Sequence, residues 1–183
     1  MRQDDLLIYR RRLPHWRLAG STYFVTWRLA STQSELSPKE RDLVVAALRH
    51  FEGERYELLA YVVMHDHIHL LATPLETYRL QEIVHSWKSF TANSLQRTSG
   101  RRGAVWQDEY YDRIVRDEEE LLEKVNYILT NPSRSWPDIE DYAWARCLLE
   151  GGHGGPPHHS KRDALTDPVT VELASSTVTD RWK

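Results

Sequence analysis

His67-Ile68-His69 is the segment whose residue types and spacing most directly imply chemistry. On a strand, side chains two apart project to one face, so both imidazoles point together while Ile68 and Leu70 face the other way. Two imidazoles on one rigid strand can bind a divalent cation, although such a pair also serves as a polar face or as packed core. A second candidate follows Asp117, where Leu121, Leu122, Val125, Ile128 and Leu129 form an apolar helical stripe. Tyr127 and Asn131 stand one turn apart on a different face, with Lys124 and Glu120 continuing it. A tyrosine outside the buried stripe, one turn from an amide oxygen, could be a nucleophile beside a third metal ligand. The plain alternative is a partly exposed tyrosine packed on the helix end. Tyr110 and Tyr111 are rival nucleophiles, without a ligand-type residue one helical turn away. His65, His67 and His69 together would suit metal-assisted hydrolysis of a small phosphoester or amide, but no downstream Asp and His set has binuclear spacing.

The elements that must position these groups follow from periodicity. Tyr23, Val25, Trp27 and Leu29 alternate as a strand. Ser37-Pro38-Lys39-Glu40 is a capping box with proline in the first turn, and apolar residues at helical spacing carry that helix to about Phe51. Tyr56 to Met64 reads as a buried strand, returned by a tight turn at His65-Asp66 into a strand from His67 to Thr73. Leu80, Ile83, Val84, Trp87, Phe90 and Leu95 mark a second helix, followed by a basic loop from Gly100 to Gly103. A short strand is expected at Tyr111 to Val115. The helix capped by Asp117 and Glu120 should then run to about Thr130, where Asn131-Pro132 stops it. The order β-α-β-β-α-β predicts an α+β fold, a ferredoxin-like antiparallel sheet with helices on one face plus an added C-terminal helix.

Composition bounds the function classes. The chain has 183 residues, 40% hydrophobic and 28% charged, which suits one soluble domain over residues 1–150. From Gly151 to Lys183 the sequence turns to Gly, Pro, His, Ser and Thr and is expected to be a flexible low-complexity tail. Cys147 is the one cysteine, which excludes an internal disulfide and every multi-cysteine zinc site. There is no apolar run of the ~18 residues a membrane span needs, and Met1-Arg-Gln-Asp-Asp lacks the apolar core of a secretory signal. A cytoplasmic protein is therefore expected. The net charge of -3 argues against a nucleic-acid binder, but its distribution does not. Arg10, Arg11 and Arg12 cluster near the start, and Lys88, Arg101 and Arg102 lie mid-chain, while acids gather at Asp117 to Glu123. A basic face beside an acidic flank still attracts a phosphate backbone, and these six residues are the expected DNA contacts. An RNA-binding sheet is disfavoured, because no glycine and aromatic signature of that kind is present.

Three segments in order, Met64-His-Asp-His-Ile-His-Leu-Leu, then Trp106-Gln107 with Tyr110-Tyr111-Asp112, then Tyr127-Ile-Leu-Thr-Asn-Pro132, resemble the REP-associated tyrosine transposases. These group with the insertion-sequence-200-like transposases of the HUH single-strand nucleases. The resemblance spans roughly residues 11–136. It implies that His67 and His69 are metal ligands for Mg2+ or Mn2+, that Asn131 completes the site, and that Tyr127 is the nucleophile. It further implies a substrate of single-stranded DNA carrying palindromic hairpins, cut through a 5′-phosphotyrosine intermediate by a monomer or homodimer. A metal-dependent phosphoester hydrolase and a catalytically idle DNA-binding relative are the alternatives. Two departures stand out: the turn before the histidines lacks the usual proline, and Asn131-Pro132 is followed by Ser-Arg-Ser-Trp.

Overall fold

Alternation along two strands divides their side chains between an apolar face and a face that carries the histidines. The computed structural model describes residues 7–10, 14–17 and 20–149. Strands β1 (Leu7–Arg10) and β2 (Pro14–Arg17) form a two-stranded antiparallel ribbon that periodicity had not marked. The main sheet comprises β3 (Tyr23–Arg28), β4 (Tyr56–Val63), β5 (His67–Pro74), β6 (Tyr111–Ile114) and β7 (Ala145–Cys147), ordered β6-β3-β5-β4-β7 with antiparallel neighbours. The helices are α1 (Pro38–Arg49), α2 (Leu80–Ser99) and α3 (Glu118–Ser135). Without β7 this is the ferredoxin-like α+β arrangement expected from the element order. The proposed tail, 151–183, lies outside the described residues.

The larger core fills the face on which α1 and α2 pack. Tyr23, Val25 and Trp27 of β3 and Ile68, Leu70 and Ala72 of β5 meet Val44, Leu48, Leu80, Val84, Trp87 and Leu95. Two polar groups inside it pair with each other: Tyr56 Oη donates to the Leu48 carbonyl at 2.7 Å and accepts from Trp87 Nε1 at 2.9 Å. A smaller core on the opposite face gathers Phe24, Ala60, Val62, Met64 and Leu71 under Val125 and Ile128 of α3. Leu58 and Ala60 sit on opposite faces despite equal parity, because β4 carries a register shift between them. A bulge of that kind adds one residue and reverses the alternation beyond it.

The capping box of α1 forms as expected, with Ser37 Oγ accepting from the Glu40 amide and Glu40 Oε2 from the Ser37 amide at 2.8 Å. Glu40 also receives Arg101, Nε on Oε1 at 2.6 Å and a terminal nitrogen on Oε2 at 2.9 Å. The other guanidinium donors go to Gln33 Oε1 and to the carbonyls of Ser34 and Glu35. All five N–H groups of Arg101 are thus used inside the fold. α2 ends at Gly100, whose φ of 69° makes the left-handed turn that starts the loop toward Arg101.

Helix α3 departs from expectation in two ways. It does not stop at Asn131-Pro132 but continues to Ser135 with Pro132 inside it. Proline removes one helix donor, yet only the last turn lies beyond, and the Trp136 amide closes that turn on the Pro132 carbonyl at 2.9 Å. The helix is also rotated about its axis relative to the stripe read from sequence. Val125, Ile128, Asn131 and Pro132 are buried, whereas Leu122 and Leu129 are exposed.

Arg101 holds the Glu40 carboxyl at about 2, against an ordinary 4.5. A depressed carboxyl stabilises the fold above its unfolded value and loses that contribution as pH falls from 4.5 toward 2. Glu40→Gln should therefore cost about 3 kcal/mol at pH 7, and the deficit should narrow across that acid window. Urea unfolding at a series of pH values measures it; a constant offset down to the acid limit would remove the ion pair as the cause.

Candidate active site

His67 and His69 share the α3 face of β5, with ring centroids 4.7 Å apart and side chains almost wholly buried. Each ring is tied through Nδ1. His67 Nδ1 lies 2.5 Å from Asp66 Oδ1. Asp66 is displaced below the usual carboxylate range: burial pushes it up, but the His67 hydrogen bond and nearby positive charge outweigh that. An ionised carboxylate can only accept, so Nδ1–H of His67 donates. His69 Nδ1 pairs with Thr26 Oγ1 at 2.6 Å across the β3–β5 ladder. Among the described residues neither Nε2 has a hydrogen-bond partner, so both point a ring nitrogen away from the strand that holds them.

Burial, then the charges of His67 and Arg28, push His69 down to about 3. Its ring is consequently neutral near pH 7, the state in which imidazole can ligate a cation. Asn131 is also buried, one turn beyond Tyr127 on α3, without a hydrogen bond or ring contact to the histidines. Among the described residues no group of three or more His, Cys, Asp or Glu side chains could hold a metal. Two imidazoles oriented through Nδ1, each with its Nε2 unpaired among the described residues, nevertheless suit a divalent cation with partly open coordination.

Tyr127 approaches from α3 of the same chain. Its ring centroid is 5.1 Å from that of His69 and 5.9 Å from that of Phe24, which itself stacks on His69 at 5.5 Å. With the helix rotated relative to the stripe read from sequence, Tyr127 is half-buried at the edge of the packed face. Its hydroxyl makes no hydrogen bond among the described residues. The rival Tyr110 packs against the larger core on the other face, and Tyr111 is exposed on β6. His65 turns to Trp136, with ring centroids 5.2 Å apart, and its ring centre lies 6.5 Å from that of His67. A three-histidine cluster is not formed.

Two arginines flank the site that sequence reading had not assigned to it. Arg134 Cζ sits 4.7 Å from the Tyr127 ring centroid, and Arg28 lies 3.7 Å from Asp66 Oδ2. Arg134 follows Tyr127 by two turns, a relation hidden by the expected stop at Pro132. Thr26 and Arg28 are on the histidine face by strand parity alone, a signal available in the sequence.

The expected DNA contacts fare differently. Arg101 is corrected: its side chain is buried and its five donors are committed to Glu40, Gln33, Ser34 and Glu35, so it locks a loop and offers nothing to phosphate. Lys88 donates to the carbonyls of Gln107 and Asp108, both at 2.7 Å, and so clamps that loop to α2. Arg102 is exposed. Arg10 ends β1, while Arg11 and Arg12 lie outside the described residues.

Comparison with known proteins agrees with this geometry. The chain belongs to the IS200-like transposases, whose family model matches residues 30–131. It is thereby a transposase, an enzyme class that cuts and rejoins DNA. A Haemophilus influenzae protein named as a REP-associated tyrosine transposase is 26% identical over 127 residues, 62% of this chain and 70% of its own length. A solved structure of a REP-associated tyrosine transposase bound to a REP hairpin superposes with a TM-score of 0.61 at 22% identity, covering 75% of this chain and 80% of that one. At that identity the likeness is one of fold. Among the described residues no helix is long and apolar enough to cross a membrane.

Because the fold makes no use of the Tyr127 hydroxyl, Tyr127→Phe should change stability by less than about 0.5 kcal/mol. Tyr127→Ala, which removes the ring packed edge-on against Phe24 and His69, should cost roughly 2 kcal/mol or more. Urea denaturation of both variants separates the two contributions. A large loss in the phenylalanine variant would mean that the hydroxyl has a structural partner.

Proposed function

We propose that this transposase cuts and rejoins single-stranded DNA at hairpin-bearing repeats, with Tyr127 as nucleophile beside a metal site of His67, His69 and Asn131. Residues 1–150 form the transposase domain in this reading, and the setting is cytoplasmic. The observation that carries it is the Tyr127 ring packed on His69 in the same chain, its hydroxyl unused and both histidines tied through Nδ1. Family membership supports the reaction class, and the related protein bound to a REP hairpin supports the choice of DNA.

The Tyr127 oxygen attacks the scissile phosphorus in line, forming a phosphotyrosine to the 5′ end while the P–O3′ bond breaks. The phenol releases its proton to solvent on attack, and the departing 3′ oxygen takes one up from solvent and leaves as a free hydroxyl. A 3′-hydroxyl on another strand reverses the step, displacing Tyr127 and completing strand transfer. Bond energy is kept in the covalent link, so no nucleotide triphosphate is needed. His67, His69 and Asn131 would hold a Mg2+ or Mn2+ ion, which would supply Lewis-acid polarisation of the phosphate. Asp66 and Thr26 keep the imidazoles in the ligating orientation. Arg28 and Arg134 place positive charge where the phosphate must sit, which favours both binding and the more negative transition state. A neutral phenol is a weak nucleophile, so positioning on the rigid helix face carries much of the activation.

Labelled hairpin oligonucleotides with single-stranded flanks, incubated with the full chain and Mn2+ or Mg2+, should yield a denaturation-resistant adduct mapped by mass spectrometry to Tyr127. Tyr127→Phe should form none while still binding DNA; full cleavage by that variant overturns the assignment. Asp66→Asn and Thr26→Val should each weaken Mn2+ binding about 10- to 100-fold in calorimetry. Unchanged Mn2+ affinity in both variants would detach them from the metal site.

A further inference from the structure

Tyr111 has 46% of its surface exposed on the edge strand β6, and among the described residues its side chain has no hydrogen bond, ion pair or ring partner. Register decides which way it faces. Tyr111 pairs with Thr26, and Thr26 pairs with His69 on the next strand. Residues directly opposite one another share a face, so Tyr111, Thr26 and His69 form one row across three strands. Tyr110, one position earlier, faces the other way and packs against the larger core. Strand spacing puts Tyr111 about 10 Å from His69 at the level of Cβ.

The surroundings of this ring fit a nucleic-acid strand better than a protein core. Arg28 pairs with His67 in the adjacent row, so its cation lies diagonally from Tyr111 on the same face, with a side chain 56% exposed. A strand whose scissile phosphate sits between the histidines and Tyr127 can pass its next phosphate over Arg28 and reach the β6 edge. A phenol ring standing out from the sheet there offers a flat apolar surface to an unpaired base. Strand β2 also approaches β6, but among the described residues the Tyr111 side chain has no bonded or ring partner, and an unpaired base would supply one.

We propose that Tyr111 is a stacking platform for one unpaired base near the scissile phosphate, a nucleotide subsite on the β6 edge that fixes how the strand enters. The inference rests on the reading of His67, His69 and Tyr127 as the strand-cleaving site. The subsite tolerates any base with a π face, so it positions the strand without dictating sequence.

The test uses the full chain and hairpin oligonucleotides with 2-aminopurine placed in turn at each single-stranded position beside the hairpin. Stacking on tyrosine should alter emission at one position. The change should persist in Tyr111→Phe and vanish in Tyr111→Leu, with binding weakened roughly tenfold in the leucine variant. Adduct formation at Tyr127 is scored on the same oligonucleotides. If the adduct forms but no position depends on residue 111, the subsite is overturned and the cleavage reading stands. If the emission change depends on residue 111 but no adduct forms, the base platform is supported and the cleavage reading fails. If neither appears, both fall.

Discussion

Three backbone amides from separate parts of the chain converge on the two-residue turn at His65 and Asp66, and the site depends on that convergence. Met64 donates to the His67 carbonyl at 2.8 Å, Leu36 to the His65 carbonyl at 2.6 Å, and Leu29 to the Asp66 carbonyl at 2.8 Å. The turn cannot slip by one residue without breaking all three. A slip of one residue would carry His67 and His69 to the face now packed by α1 and α2, and leave Ile68 and Leu70 in their place. The same turn places the Asp66 carboxylate beside His67, so the backbone restraint also orients a ring.

Separation of the two faces lets one thin sheet carry both stability and chemistry. The face under α1 and α2 holds Tyr23, Trp27, Tyr56, Tyr61, Trp87 and Trp106 and takes no part in the site. The α3 face is less apolar, and Phe24, Leu71, Val125 and Ile128 pack the helix onto the sheet. Charge is arranged to match. His69 is kept neutral by burial and by nearby cations, while Arg28 and Arg134 remain at the margin where a phosphate can meet them. Positive charge around a neutral imidazole favours an anionic ligand without protonating the ring.

Much of this was legible in the sequence because it is written locally. Strand parity placed His67 with His69, the Ser37-Glu40 capping box began α1, and the order of elements matched the sheet. What was missed depends on partners distant in sequence. Nothing near Arg101 announces that its guanidinium will meet Glu40, sixty-one residues away. The apolar pattern of α3 points toward Leu122 and Leu129, but both are exposed while Asn131 and Pro132 lie on the buried side. Pro132 reads as a stop when only neighbours are considered, and that misreading concealed Arg134. The three-residue strand β7 is too short for periodicity to reveal.

The bulge between Leu58 and Ala60 bears on how such a chain can change over generations. Beyond it, Ala60, Val62 and Met64 supply the floor beneath α3, and before it Leu58 belongs to the opposite core. Removing the one extra residue would reconcile the two halves of β4 only by turning one of them inside out. Substitutions at these positions act singly and can be absorbed, whereas loss or gain of one residue there alters every later side chain of the strand at once. Drift in this lineage is therefore constrained at β4 by length more tightly than by residue identity.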